Sequence, residues 1–285
     1  MYTTLISAHD LAREIGQANW VVVDCRHDLM DAVAGQVAYE GGHLPGAFFV
    51  HMDQKLSGAK ISASGQFCGR HPLPTKQDFI RHLRELGIHS SSQVVAYDAH
   101  GGMYAARLWW MLRWVGHAAV AVLDGGISAW VAQGYSTDHH PVTSLPGDIE
   151  CGPSLVGQVD VDEVSMNLSS GNYTVVDARA ADRYRGENEV VDPVGGHIPG
   201  AKNRFFKDNL QADGSFKSPE QLRGEWLNII ADPSVAIMQC GSGVTACHNL
   251  LALEIAGLHG ALLYPGSWSE WCADPARPVA TGIET

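Results

Sequence analysis

The sequence lacks several features that would place it in a specialised class of protein. It has no run approaching the roughly 18 apolar residues of a membrane span, and the opening segment MYTTLISAHDLAREIG lacks the basic start and apolar core of a secretory signal. Six cysteines in 285 residues, with no CxxC pair, are too few for a disulfide scaffold. The 19 Lys and Arg residues are outnumbered by 31 Asp and Glu residues and form no basic stripe. We therefore expect a cytoplasmic globular protein with free thiols, no nucleic-acid partner and no membrane attachment.

The most informative pattern that is present is an internal duplication. Three motifs occur twice and in the same order: WVVVDCR (20–26) with YTVVDAR (173–179), GGHLPGA (41–47) with GGHIPGA (195–201), and LDGGISAW (123–130) with YPGSWSEW (264–271). Residues 136–154, between the copies, are rich in proline and glycine and have little periodicity, which is typical of a linker. The duplication predicts two homologous domains, at residues 1–140 and 154–285.

Each half alternates short β-branched runs with helical patterns. In the first half, the predicted elements are strands at Val21–Asp24, Val94–Asp98 and Ala118–Leu123 and helices at 76–87 and 103–115. This alternation predicts an α/β fold in which a parallel sheet is flanked by helices, with ligands bound outside the carboxyl ends of the strands. Cys240 follows the apolar run VAIM and is therefore expected at such an end.

The segment CGSGVTA predicts a tight turn between a strand and a helix, with Cys240 at its start. Gly241 and Gly243 allow successive N–H groups to point into the turn, and we expect them, with Val244 and Thr245, to bind the anionic part of a substrate. A free cysteine is only a few per cent thiolate at neutral pH, and lowering a thiol pKa by about two units needs roughly 2.7 kcal/mol. A helix dipole supplies about 0.3 to 1 kcal/mol, so several amide donors must supply the rest. The pattern favours a nucleophilic thiolate over a buried structural thiol.

Three other interpretations of this loop fail on particular residues. A dinucleotide site of the GxGxxA type needs an acidic residue about 20 positions on, and ALLYPGS has none there. A cysteine phosphatase needs an arginine six positions after the cysteine, where Ala246 stands. A metal site using Cys240, Cys247 and His248 is unfavourable because the last two are adjacent on a helix and point about 100° apart. We therefore expect no cofactor and no metal.

Taken together, the two copies of D-x-R followed by GHxPGA, the single CGSGVTA loop and the GSWSEW motif resemble the tandem-domain rhodanese sulfurtransferases over nearly the whole chain. The uncharged loop is similar to that of the 3-mercaptopyruvate sulfurtransferases, whereas rhodaneses that use thiosulfate typically have basic residues after the cysteine. The resemblance implies two rhodanese-like domains. Only the second would be catalytic, because Asp98 stands at the position that Cys240 occupies in the other copy.

The resemblance also implies a reaction: a sulfane sulfur moves from 3-mercaptopyruvate through a Cys240 persulfide to a thiol or cyanide acceptor, with a thioredoxin-like protein as another acceptor. A thiosulfate sulfurtransferase is the near alternative. Two alternatives from other classes stay open, namely a persulfide carrier that serves a protein partner and a catalytically silent tandem scaffold.

The remaining site residues are carried by the resemblance. Asp53 and His71 of the first domain match active-site positions of the mercaptopyruvate enzymes, and Ser242 would complete a Cys–Ser–Asp relay. Arg183 matches the arginine that holds the donor's carboxylate or sulfonate. These enzymes carry a second substrate arginine shortly before GHIPG, but GENEVVDPVGGHIPG contains none, which makes Arg70 the candidate substitute.

Several recurring residues are expected to be structural. Arg179, in the D-x-R motif, predicts a salt bridge that ties a strand to a loop. His43 and His197 recur in both halves although only one half has the cysteine, so we expect them to form hydrogen bonds that shape turns. The tryptophans of LWWMLRW (108–114) predict core packing.

Overall fold

A computed structural model describes residues 1–283, which form two compact units. The first unit comprises Met1–Gly58, Pro74–Leu155 and Leu210–Phe216. The second comprises Ala59–Leu73, Val156–Asn209 and, within the described residues, 217–283.

The first unit is built on a five-stranded parallel sheet. Its elements are β1 (Leu5–Ile6), α1 (Ala8–Glu14), β2 (Trp20–Asp24), α2 (Ala34–Glu40), β3 (Phe48–Phe49), α3 (Met52–Lys55), α4 (Lys76–Glu85), β4 (Gln93–Tyr97), α5 (Ala105–Trp114), β5 (Val120–Leu123) and α6 (Gly126–Ala132). The strand order is β1-β5-β4-β2-β3. Parallel neighbours need crossover connections, and most of these contain a helix.

The second unit repeats this architecture. Its elements are β6 (Gly157–Gln158), α7 (Val161–Ser170), β7 (Thr174–Asp177), α8 (Ala181–Arg185), β8 (Lys202–Asn203), α9 (Pro219–Leu227), β9 (Ala236–Gln239), α10 (Thr245–Ile255), β10 (Leu262–Leu263) and α11 (Ser267–Trp271), with short 3₁₀ turns at Phe206–Asn209 and Pro233–Val235. The parallel strand order, β6-β10-β9-β7-β8, corresponds strand for strand to that of the first unit. The predicted duplication and the predicted α/β fold class are therefore confirmed.

The predicted elements of the first half are present with small shifts at their ends. The strands predicted at 21–24, 94–98 and 118–123 correspond to β2, β4 and β5, and the helix predicted at 103–115 begins at Ala105. The shift at this helix has a local cause: the Asp98 carboxylate accepts hydrogen bonds from the N–H groups of Tyr104 and Ala105. The chain therefore turns around this carboxylate before the helix begins.

The D-x-R and GGH motifs recur because they form one structural joint. Arg179 is 3% exposed, forms a salt bridge of 2.6 Å with Asp177 at the end of β7, and donates at 2.6 Å to the carbonyl oxygen of Gly196. His197 stacks on Tyr184 with 3.7 Å between ring centroids, and its Nδ1 lies 2.8 Å from the Tyr184 carbonyl oxygen. Burial without a partner would be costly for the guanidinium, so the ion pair and the carbonyl bond stabilise it. The structural roles predicted for Arg179 and His197 are confirmed.

Two short segments group with the other half of the chain: residues 59–73 belong to the second unit, and Leu210–Phe216 belong to the first. This division differs from the continuous domains 1–140 and 154–285 expected from the sequence. Residues 59–73 belong to the second unit because the chain there packs directly against it. Gly69 has φ +97°, and a methyl group on it would lie 2.7 Å from the carbonyl oxygen of Gly266. The N–H of Arg70 donates at 3.0 Å to Ser269 Oγ. His71, expected from the first domain, therefore lies in the same unit as Cys240.

Large apolar side chains fill the core of each unit. Trp109 and Trp110, on α5, are fully buried in the first unit, as predicted, and Tyr264, Trp268 and Trp271 are fully buried in the second. Burial of these rings removes apolar surface from water and thereby stabilises each unit. Among residues 1–283, no helix is both long and apolar enough to cross a membrane.

Candidate active site

The cysteine loop connects the central strand of the second sheet to a buried helix. Cys240 directly follows β9, and the next helix, α10, begins at Thr245. Cys240 is 2% exposed, and Val244 and Thr245 are also buried. The loop therefore lies at the carboxyl end of a parallel strand and at the amino end of a helix, where backbone N–H groups lack partners within the helix.

Hydrogen bonds from α11 set the orientation of the loop peptides. The N–H of Trp268 donates at 3.0 Å to the Cys240 carbonyl, and that of Ser269 donates at 2.9 Å to the Gly241 carbonyl. A peptide is planar and trans, so the N–H groups that follow these carbonyls, at Gly241 and Ser242, point away from α11. The Ser242 N–H donates to Cys240 Sγ at 3.5 Å. Helix α11 thus binds the Gly241 carbonyl on one side of its peptide, and the Ser242 N–H on the other side donates to the sulfur.

Ser267 anchors the backbone of the cysteine itself. Its Oγ accepts from the Cys240 N–H at 3.1 Å and donates to the Tyr264 carbonyl at 2.9 Å. Ser267 has φ +54°, and within residues 1–283 every other residue with a positive φ is a glycine. This conformation costs roughly 1 kcal/mol or more in a residue with a Cβ. The strained backbone is held in place by contacts that fix the nucleophile.

The two glycines of the loop serve different purposes. Gly243 has φ +74°, and a methyl group on it would lie 2.4 Å from the Pro265 carbonyl oxygen. Gly241 has an ordinary φ, but a methyl group there would lie 2.8 Å from Arg70 Nη2 and 3.9 Å from Arg183 Nη1. Gly243 therefore allows the turn, whereas Gly241 leaves room for the Arg70 guanidinium.

The corresponding loop of the first unit holds an anion of its own. The Asp98 carboxylate is fully buried and accepts four backbone hydrogen bonds of 2.7 to 3.0 Å, from His100, Gly102, Tyr104 and Ala105. The bond from residue 100 to residue 98 corresponds to the contact between the Ser242 N–H and Cys240 Sγ. The duplicated loop thus converges amide donors on a negative group, which is what the sequence predicts for the cysteine loop.

His71 and Ser242 are brought together beside the cysteine. His71 Nδ1 and Ser242 Oγ share a hydrogen bond of 2.7 Å, and both residues are buried. Asp53 lies in α3 of the first unit, half-buried, and its N–H donates to His51 Nδ1 at 3.1 Å. A neutral imidazole and a hydroxyl can pass a proton between them, so the pair can serve acid–base chemistry next to the thiol. The role of Asp53 stays a prediction.

Arg183 is held by two buried carboxylates. It extends from α8 and donates from Nε and Nη2 to Glu189, at distances down to 2.8 Å, and from Nη2 to Asp192 at 3.2 Å. Asp192 also forms a salt bridge with Arg70 Nη1. Asp192 therefore bridges two guanidinium groups that the sequence places 113 positions apart.

The two carboxylates of this cluster respond differently to their surroundings. Burial alone would raise the pKa of Glu189, but hydrogen bonds from Arg183 and from the N–H groups of Asp192 and Val191 hold it below its usual value. Burial raises the pKa of Asp192 above its usual value even though Arg70 and Arg183 oppose the shift. Two arginines and two carboxylates lie together, so their formal charges balance. An anionic substrate would therefore be selected by the directed N–H groups of the arginines and not by a large net positive charge.

Cys247 and His248 take structural positions on α10. Cys247 Sγ donates to the Gly243 carbonyl at 3.3 Å within the first turn of the helix. His248 Nδ1 lies 3.3 Å from Asn209 Nδ2 and is fully buried. Both side chains therefore have hydrogen-bonding partners within the second unit.

Comparison with known proteins identifies the family. The model of the rhodanese-like domain matches twice, at residues 7–133 and 160–274. The chain belongs to the rhodanese family. A Pseudomonas aeruginosa protein named "Probable 3-mercaptopyruvate sulfurtransferase" is 42% identical over 281 residues, which cover 98% of each chain. A Mus musculus thiosulfate sulfurtransferase is 36% identical and covers 86% of this chain and 82% of its own. The crystal structure of SseA from Escherichia coli, described as a 3-mercaptopyruvate sulfotransferase, has a TM-score of 0.79 at 31% identity and covers 94% of this chain and 100% of its own.

These similarities confirm the predicted family, the tandem rhodanese-like domains and the enzyme class of sulfurtransferase. Within this rhodanese, the structure adds residues that the sequence argument did not select. Ser267 and the acidic pair Glu189 and Asp192 contact the cysteine loop or its arginines. The sequence does indicate the acidic pair, because Glu189 and Asp192 lie in the segment where the resemblance implies a second substrate arginine.

Proposed function

We propose that this rhodanese takes the sulfur of 3-mercaptopyruvate onto Cys240 as a persulfide and passes it to a thiol or to cyanide. The names of similar proteins and the absence of a charged side chain between Cys240 and Cys247 in the sequence support this donor. The observation that carries the choice is the buried hydrogen bond between His71 and Ser242 beside the thiol. Its importance follows from where protons must go in this reaction.

In the first half-reaction, the Cys240 thiolate attacks the donor sulfur. The new S–S bond forms as the C–S bond breaks, and the electron pair of that bond leaves with carbon as the enolate of pyruvate. The enolate becomes pyruvate only when its carbon receives a proton, and the S–H of the bound sulfur can supply one. Ser242 and His71 can carry this proton, which leaves a persulfide anion on Cys240.

In the second half-reaction, an acceptor thiolate attacks the outer sulfur of the persulfide. The S–S bond breaks, its electron pair returns to Cys240, and the acceptor leaves as a persulfide; cyanide leaves as thiocyanate. The Ser242 N–H, whose peptide α11 orients, donates to Sγ and stabilises the negative charge before and after transfer. We propose the reducing cytoplasm as the location, with a small thiol or a thioredoxin-like protein as acceptor, since thiols stay reduced there.

Thiosulfate is the second candidate donor. Two guanidinium groups next to Gly241 suit its sulfonate end, and a similar protein carries that name. With this donor, sulfite leaves with the electron pair of an S–S bond and no carbon needs a proton. Loss of the His71–Ser242 pair should therefore harm turnover of 3-mercaptopyruvate more than turnover of thiosulfate.

Intact-protein mass spectrometry after donor treatment, without reducing agent, tests the proposal. We expect the protein to become one sulfur atom heavier with 3-mercaptopyruvate, and Cys240→Ser to abolish the gain. Cys247→Ser is the matched control, since Cys247 is also buried, and it should keep the gain. A wild-type protein that gains no sulfur from either donor would contradict the sulfur-carrying role of Cys240. Loading followed by transfer only to a protein thiol, with slow turnover of small thiols, would favour a persulfide carrier.

A further inference from the structure

Two guanidinium groups reach the cysteine loop from distant parts of the chain. Arg183 comes from α8, and Arg70 comes from the segment 59–73 that packs into the second unit. Both reach the space above Gly241, the residue after Cys240. A methyl group on Gly241 would lie 2.8 Å from Arg70 Nη2, and 3.8 and 3.9 Å from Arg183 Nη2 and Nη1. We propose that Arg70 is the second anion-binding residue of the donor site and acts together with Arg183.

The way Arg70 is held supports this role. Its backbone N–H is bound by Ser269 Oγ, and its Nη1 by Asp192, so the side chain has a defined direction. Among the described residues, no protein group forms a hydrogen bond with Arg70 Nη2, which is the atom nearest Gly241. Its Nε is buried without a hydrogen-bond partner. A buried guanidinium N–H without a partner is costly, and a bound carboxylate or sulfonate oxygen would compensate for that cost.

Arg183 contributes from the other side in the same manner. Glu189 and Asp192 bind its Nε and Nη2, whereas Nη1 lies 3.9 Å from the methyl-sized space at Gly241. Asp192 bridges the two arginines and thereby holds both near that space. We therefore treat Asp192 as a positioning residue and the two arginines as the groups that touch the donor.

This inference rests on the proposed function for the identity of the donor, but not for the existence of the anion site. The decisive variant is Arg70→Ala, compared with Arg70→Lys and with Arg185→Ala as control. Arg185 is another arginine of the second unit, but it pairs with Glu187 at the surface. Steady-state kinetics with each donor and persulfide loading of Cys240 should be measured side by side.

We expect Arg70→Ala to raise the KM of the loading donor about 10- to 100-fold, as loss of a charge-assisted hydrogen bond implies. Its kcat should change much less, and transfer from a preformed persulfide to cyanide should stay at the wild-type rate. Arg70→Lys should recover part of the KM because it keeps the charge but loses the planar fork. Arg185→Ala should retain wild-type kinetics. An Arg70→Ala variant with wild-type KM for the donor that loads Cys240 would overturn the proposal.

Gly241→Ala provides a second route that does not depend on how well Arg70→Ala folds. The backbone of Gly241 accepts alanine, but the new methyl group would displace the Arg70 guanidinium. We expect a raised KM, and we expect the double variant to be no worse than Arg70→Ala alone, because both changes remove the same contact. Fully additive effects would count against Arg70.

Binding of the product anions separates this proposal from the proposed function. Pyruvate and sulfite should raise the melting temperature of the wild-type protein. The Arg70→Ala variant should need about tenfold more of either anion for the same rise. If wild-type protein binds these anions through Arg70 but loads sulfur from neither donor, the function is wrong and the anion site stands. If Cys240 loads normally while Arg70→Ala keeps wild-type anion binding, the function stands and the role of Arg70 is wrong.

Discussion

His71 and Ser242 share a buried hydrogen bond of 2.7 Å although 171 positions separate them in the chain. The contact exists because residues 59–73 pack into the second unit, against Gly266 and Ser269. The cysteine loop is thus completed by a segment that precedes the second copy of the duplication.

Replacement of His71 should separate the two donors. We expect His71→Asn to lower kcat with 3-mercaptopyruvate about 100-fold, because the enolate of pyruvate needs a proton, and to lower kcat with thiosulfate far less. Donor kinetics at saturating acceptor give the comparison, with the exposed His89→Asn as control. Equal losses with both donors would show that the histidine acts on the structure of the loop and not on the leaving group.

Replacement of Ser267 should test the link between backbone strain and the nucleophile. Ser267→Ala leaves the buried Cys240 N–H without its acceptor, and we expect a loss of about 1 to 3 kcal/mol in the free energy of unfolding. Ser267→Gly loses the same bond but accepts φ +54° without strain, so it should be less destabilised. Denaturant titrations measure the difference, and persulfide loading should slow in both variants. A glycine variant that is less stable than the alanine variant would argue against strain at this residue.

Replacement of Asp98 should affect stability without affecting catalysis. The Asp98 carboxylate accepts four backbone N–H groups, and Asp98→Asn replaces one of its acceptor oxygens with a donor. We expect a loss of about 2 to 4 kcal/mol in the free energy of unfolding. Cyanide-dependent turnover of the folded variant should equal that of the wild type, because Cys240 lies in the other unit. Glu40→Gln, at an exposed position, serves as control for the loss of one negative charge.

Acid should weaken the second unit through Glu225. Burial alone would raise its pKa, but hydrogen bonds from Arg204, Lys217 and Gln221 lower it to about 2. A lowered pKa in the folded state gives stability that is complete above the usual glutamate value and is lost as pH falls from about 4.5 toward 2. We expect about 1 to 2 kcal/mol, reduced by partial exposure to solvent, and Glu225→Gln should remove this part of the acid dependence. Unfolding titrations between pH 6 and pH 3, within about that window, check the slope.

The sequence predicted the fold well because the fold depends on local patterns that occur twice. The D-x-R and GGH motifs form the same joint in both copies, and the alternation of β-branched runs with helical patterns favours a parallel sheet. Cys240 could be placed for the same reason, since its neighbours encode a strand end, a glycine turn and a helix start.

The environment of the cysteine could be predicted only in part, because several of its neighbours are distant in sequence. Ser267 contacts the Cys240 N–H from 27 positions away, and its positive φ has no signature in the letters GSWSEW. The exchange of residues 59–73 depends on close packing at Gly69, which no periodicity indicates. The Arg70–Asp192–Arg183 cluster needed the three-dimensional structure, because a bridging carboxylate cannot be recognised from composition.

The fixed carboxylate of Asp98 has a consequence for the cysteine loop. Aspartate carries its negative oxygens two bonds beyond Cβ, which is where the outer sulfur of a cysteine persulfide would lie. The first unit therefore displays permanently the pattern of amide contacts that the second unit would adopt only while loaded. A mimic of the intermediate follows on that basis: Cys240→Asp would place carboxylate oxygens two bonds beyond Cβ and should reproduce the resting arrangement of the silent copy.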